Sequence, residues 1–211
     1  MDHEFWHKRW EENQIGFHQQ EINQYLSSHW AELGLPDGAP VFVPLCGKSL
    51  DMLWLREQGH AVLGIELSDK ALQDFFAENQ LARDISQDER FTTYHTEGLR
   101  LLAGDFFALT RADLDGIVAV YDRASLIALP PQMRTRYARH LAELLPSGAH
   151  ILLIVMDYAP GTIEGPPFSV SANELQELFH KDFVLDHKGD WVSQGPRGAT
   201  VTESVYRLTR C

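Results

Sequence analysis

Cysteine, basic charge and long apolar runs are the three things this 211-residue chain has least of. Its two cysteines, Cys46 and the terminal Cys211, give neither a disulfide framework nor a cysteine-based zinc spacing, which points to a reducing, cytoplasmic setting. Eighteen Lys and Arg stand against thirty Asp and Glu, a formal charge of −12. Nucleic acid and anionic membrane surfaces both demand clustered cations, so the balance argues against either partner and favours a small ligand. No stretch approaches the roughly 20 apolar residues that span a bilayer, and the opening Met1-Asp2-His3-Glu4-Phe5-Trp6 lacks the apolar run of a secretory signal. Apart from His3 and His7, the ten histidines form no H-x-x-x-H pair and no clear carboxylate-backed ligand cluster, so a metal is not expected.

What is present is one ordinary globular composition, without repeats or low-complexity tracts, that predicts a single domain over residues 1–211. Residues 2–35 are polar and aromatic and read as two helices joined by a loop at 13–19. The spacing then predicts strand 41–43, helix 50–58, strand 61–65 and helix 69–80 with Ser68 as its N-cap. Strands 99–102 and 117–121, helix 131–145 and the apolar strand 150–156 continue the alternation. Such alternation demands parallel strands with right-handed crossovers, hence a doubly wound α/β sheet with its ligand at the strand C-termini. The tail departs from the pattern. Residues 183–185, 191–192 and 201–208 are strand-like with little helix between them and predict a closing antiparallel hairpin.

The sharpest local signal is Val41-Phe42-Val43-Pro44-Leu45-Cys46-Gly47-Lys48-Ser49-Leu50-Asp51, a strand entering a helix through a turn of small residues. A phosphate-cradling P-loop would need a glycine where Phe42 stands, and a pyrophosphate-binding G-x-G-x-x-G has only Gly47 here. A nucleoside cofactor without phosphates needs only one glycine, with an acid at the end of the next strand for the ribose hydroxyls. Glu66 occupies that place, about twenty residues on. Taken singly, Glu66 also reads as a solvated strand end. Gly104-Asp105-Phe106 after the third strand offers a polar group and an apolar wall, or an ordinary turn. Tyr121-Asp122-Arg123 places charges at the mouth of the same crevice, although Asp122 and Arg123 also read as a surface ion pair or a helix cap. Cys46, at a strand-to-helix turn, could be an activated thiol and reads better as a small packing residue. Trp6 and Trp10 share the i, i+4 spacing of an apolar helix stripe.

Taken together, Phe5-Trp6-x-x-Arg9-Trp10, Ile15-Gly16-Phe17-His18, the run Val43 through Asp51, Gly64-Ile65-Glu66-Leu67-Ser68 and Tyr121-Asp122-Arg123 resemble the bacterial thiopurine S-methyltransferase family over nearly the whole chain. The resemblance implies a mostly parallel seven-stranded sheet, an N-terminal helical lid (residues 1–35) and methyl transfer from S-adenosylmethionine to an aromatic thiol by a monomer. It implies that Trp6, Trp10, Leu45, Glu66 and Arg123, and less directly Asp105 and Phe106, contact the cofactor. Phe17, Phe168 and Arg197 would border the acceptor. Arg123 with Arg197 would stabilise a thiolate, with Asp122 as an alternative proton acceptor. A methyltransferase for selenium, tellurium or other small thiols, or a nucleoside-binding protein without turnover, are the competing readings.

Overall fold

A computed structural model of the chain describes residues 3–16, 18–195 and 198–211. Helices α1 (His3–Glu11) and α2 (Gln24–His29), the latter running into a 3-10 turn at Trp30–Leu33, precede the sheet. Strand β1 (Val41–Val43), α3 (Asp51–Glu57), β2 (Val62–Glu66) and α4 (Asp69–Glu78) follow as the sequence predicts, and the Ser68 hydroxyl caps α4 by accepting from the Ala71 amide.

A hairpin of β3 (Asp84–Gln87) and β4 (Thr92–Thr96) then leads into β5 (Leu99–Ala103). The remainder comprises β6 (Ala119–Arg123), α5 (Ser125–Ala128), α6 (Pro131–Leu144), β7 (His150–Asp157), α7 (Ala172–Phe179), β8 (Phe183–Gln194) and β9 (Thr200–Arg210). The sheet order is β3-β4-β5-β2-β1-β6-β7-β9-β8, with β5, β2, β1, β6 and β7 mutually parallel.

Two expectations need correction. The sheet has nine strands, not seven, because β3 and β4 extend it antiparallel beyond β5. All four residues of β3 are exposed, so no apolar alternation marks it in the sequence. The predicted short strands at 183–185 and 191–192 are one twelve-residue strand, β8, irregular between His187 and Gly189. The antiparallel closing hairpin itself, β8 with β9, is present.

Alternate residues of each central strand bury opposite faces. Val41 and Val43 join Leu26, Met52, Leu72 and Phe75 under α2, α3 and α4, while Phe42 joins Val120, Tyr137, Leu141, Leu153 and Phe179 under α6 and α7. One buried carboxylate ties the N-terminal segment to this frame. Asp51, 2% exposed, accepts from the Asn23 amide on Oδ1 at 2.8 Å and from the Tyr121 hydroxyl on Oδ2 at 2.9 Å. No helix among the described residues is long and apolar enough to cross a membrane.

Candidate functional site

The C-terminal ends of β1, β2, β6 and β7 open onto one cleft of about 880 Å³, roofed by α1 and the segment after it. Trp6, Trp10, Leu45, Glu66, Asp105, Phe106 and Arg123 all line it. Phe17 and Arg197 lie outside the described residues.

Backbone geometry builds the floor. Leu45 after β1 and Ala124 after β6 both adopt positive φ, 45° and 72°, a conformation side-chain-bearing residues avoid and structures retain mainly where function holds it. Between the strands, Gly47 (φ 53°) turns its amide onto Glu66 Oε2 at 3.0 Å, while Oε1 accepts from the Ser68 amide at 2.9 Å. Glu66 is 7% exposed, and burial raises its pKa while the amides of Ser68, Gly47 and Leu67 pull the other way. Each carboxylate oxygen takes one backbone donor and keeps lone-pair capacity, as a vicinal diol requires.

Four amides of the same loop are already engaged. Cys46 N–H donates to the Ile65 carbonyl (2.9 Å), Gly47 N–H to Glu66, Ser49 N–H to the Cys46 carbonyl (3.2 Å) and Asp51 N–H to the Ser49 hydroxyl (3.3 Å). Phe42, where a P-loop needs glycine, is fully buried and stacked 6.4 Å from Phe106, and Lys48 is held by both oxygens of Glu78 at 2.6 and 2.9 Å. With Phe42 buried, Lys48 turned to Glu78 and these amides engaged, the loop is not a P-loop cradle, whereas a nucleoside bearing a ribose diol fits.

Cys46 packs. Its Sγ lies 2.9 Å from where a Gly64 Cβ would stand, and burial with the nearby Glu66 charge pushes the thiol well above its ordinary pKa. Asp105 caps the turn Phe106–Ala108, accepting from the Phe107 amide at 2.9 Å, and lies 3.9 Å from His3 of α1. Phe106 forms the wall beside it, packed on Tyr137 with ring centroids 4.9 Å apart.

Arg123 reaches the cleft from β6 and forms no ion pair among the described residues. Its neighbour Asp122 points the other way. At 1% exposure it accepts from the Tyr137 hydroxyl at 2.6 Å on Oδ2, and its Oδ1 accepts no hydrogen bond from the described residues; burial pushes its pKa up to about 6 against the opposing pull of Tyr137, Ser125 and Leu126. Neither Asp122 nor Phe168 is among the cleft-lining residues. Phe168 packs on the backbone of Gly165 and so props residues 163–167, which do line the cleft.

Sequence reasoning gave no site role to Arg9 and His18 on the roof, to Tyr121, or to Ser193, Gln194 and Glu203 on the β8–β9 hairpin, all of which border the cleft. His18 has its pKa lowered by burial and by Lys48 and Arg123. The hairpin residues belong to the site only because β9 inserts between β7 and β8, a pairing no local pattern announces.

The fold defines the class: this is the architecture of the S-adenosylmethionine-dependent methyltransferases. One such enzyme from Anabaena variabilis superposes with a TM-score of 0.70 at 16% identity, over 99% of this chain and 95% of that one. Burkholderia thailandensis 1,6-didemethyltoxoflavin-N1-methyltransferase, solved with 1,6-didemethyltoxoflavin and S-adenosylhomocysteine, superposes with a TM-score of 0.65 at 17% identity, over 98% of this chain and 87% of that one.

Sequence comparison narrows the class. The thiopurine S-methyltransferase family profile matches residues 1–211, and the chain belongs to that family. It is 55% identical to thiopurine S-methyltransferase of Pseudomonas fluorescens strain Pf0-1, covering 99% of both chains, and 50% identical to that of Shewanella putrefaciens strain CN-32, covering all of both.

Proposed function

We propose that this chain moves a methyl group from S-adenosylmethionine to the sulfur of a thiopurine or related aromatic thiol, as one cytoplasmic, monomeric domain over residues 1–211. One observation carries the reading: Glu66 on β2 and Arg123 on β6, which has no ion pair among the described residues, flank β1 and open onto the same cleft.

Glu66 takes the ribose hydroxyls, with Leu45 beside the Gly47 turn and Asp105 and Phe106 at the adenine end. Trp6 and Trp10 close the roof, and Phe17, Phe168 and Arg197 are assigned to the acceptor side, Phe168 through the wall it props. Bound S-adenosylmethionine supplies an electrophilic methyl group. The protein's work is alignment and exclusion of water, which can provide much of the acceleration of an in-line displacement. Arg123 favours the ionised thiol by its charge and so removes the need for a strong base. Asp122, accepting from the Tyr137 hydroxyl and turned away from the cleft, steadies the strand end that carries Arg123 in place of the proton-acceptor role expected of it.

Incubation with S-adenosylmethionine and 6-mercaptopurine, followed by mass spectrometry, is expected to give S-adenosylhomocysteine and the S-methylated purine in equal amounts. Cofactor binding without either product would make the chain a nucleoside-binding protein.

A further inference from the structure

The end of the cleft farthest from Glu66 carries a carboxylate of its own. Glu203 on β9 lines the cleft together with Ser193 and Gln194 of β8 and Met156 of β7. It is cross-strand partner to Met156 on one side and Trp191 on the other. Its Oε2 accepts from the Tyr25 hydroxyl at 3.3 Å and the Ser193 hydroxyl at 3.4 Å, while Oε1 accepts no hydrogen bond from the described residues. Tyr25 is itself 5% exposed and packed on Trp191 with ring centroids 4.7 Å apart, so the carboxylate is braced from behind.

Position decides what such a group is for. From β2, which ends in Glu66, two strand steps across the sheet reach β6 and Arg123, and two more reach β9 and Glu203. At about 4.8 Å per step, Arg123 stands roughly 10 Å from each acid across the sheet. The nucleoside is assigned to the Glu66 half, so the Arg123 to Glu203 half is left for the acceptor. It presents a cation at the inner end and a pure hydrogen-bond acceptor at the outer end, separated by the apolar ends of β7, Ile154 to Met156.

We infer that Glu203 is the residue that selects the acceptor, by taking a ring N–H of a heteroaromatic thiol whose sulfur faces Arg123; this rests on the thiol methyltransferase reading above. A flat bicyclic ring with an exocyclic sulfur and a ring N–H spans the two charges and buries its faces between them. A carbocyclic thiol such as thiophenol engages Arg123 alone and leaves the Glu203 carboxylate without its partner. A site built to bind a donor discriminates against ligands that lack it, because the desolvated acceptor is left unpaired.

The test is the ratio of kcat/KM for 6-mercaptopurine over thiophenol, measured in the full chain, in Glu203→Gln and in Glu203→Ala. Gln retains a carbonyl acceptor without the charge, and Ala removes the acceptor. The expected result is a ratio that falls about tenfold in Glu203→Gln and further in Glu203→Ala, chiefly through KM for the purine. Thermal melts confirm that the variants fold, and Ser193→Ala, which removes only a bracing hydroxyl, serves as a milder second probe with a smaller fall. An unchanged ratio, or equal losses on both acceptors, overturns the assignment of Glu203 while leaving methyl transfer to thiols standing. A wild-type chain that methylates neither thiol overturns both.

Discussion

The indole of Trp10 lies directly over Gly47: a Cβ built on that glycine would stand 3.2 Å from Cζ2 and 3.4 Å from Cη2. The roof of the cleft thus rests on the residue whose amide holds Glu66. Glycine is required there twice, for its φ of 53° and for the missing methyl.

Gly47→Ala is therefore expected to cost about 1–2 kcal/mol of stability from the left-handed backbone alone, lowering Tm by roughly 2–8 °C. It also weakens cofactor binding, because Trp10 and the Gly47 amide cannot both keep their places. A melt indistinguishable from the wild type would refute the close packing.

Glu66→Ala leaves the amides of Gly47 and Ser68 without acceptors and removes the charge offered to the ribose. The loss in affinity for S-adenosylmethionine is expected to be on the order of 2 kcal/mol by calorimetry. Because burial raises the Glu66 pKa, wild-type affinity is expected to decline on acidification at a higher pH than an ordinary glutamate would give. Unchanged affinity in the variant removes Glu66 from the site.

How much of this was legible beforehand divides along a physical line. Strands β1, β2, β5, β6 and β7 are buried on both faces and announce themselves as apolar runs. Within strands β3 and β4 themselves, Tyr94 is the single buried side chain, so hydrophobic alternation has little to register. The acid at the end of β2 and the Arg at the end of β6 were readable because parallel α/β sheets place ligands at strand C-termini. Asp122 was misjudged by the same rule: adjacent residues on a strand face opposite ways, and the one that points into the core cannot line the crevice. Glu203 was invisible because its place depends on the order of β9 and β8.

Asp122 should leave its mark on stability. In the folded protein it gives up its proton near pH 6, and in the unfolded chain near the ordinary 3.8. Between those values the folded state keeps a proton the unfolded state has lost, so stability falls as pH rises through this window and levels off above it. The full effect is about 3 kcal/mol. Urea unfolding at a series of pH values is expected to show the gap between Asp122→Asn and wild type shifting by that amount, in favour of the variant, from pH 4 to 7. Parallel curves would show that Asp122 titrates normally.

Cys46 should be chemically silent. With its thiol held protonated by burial and by Glu66, Ellman's reagent is expected to find one fast thiol in the native protein, the exposed Cys211, and a second only in denaturant. Two fast thiols would restore Cys46 as a candidate nucleophile.

Deleting residues 1–19 is expected to leave a cooperatively folding core without turnover. The Asn23 amide still finds Asp51, and the strands are untouched, but Trp6, Trp10 and Phe17 are gone. A truncated chain that still turns over would show that the roof is dispensable.

The bond from Asn23 to Asp51 also sets how the roof relates to the rest of the molecule. It grafts the N-terminal arm to the rigid frame a short stretch of chain beyond Trp10, so that Trp10 settling on Gly47 is a local ring closure and not an encounter between independent bodies. The entropy of such a closure grows only logarithmically with the length of the leash. Insertions in the segment between Trp10 and Asn23 are therefore cheap, whereas loss of the anchor would multiply the volume the arm must search. The fold holds its cover at high effective concentration through one buried carboxylate that does not itself line the cleft.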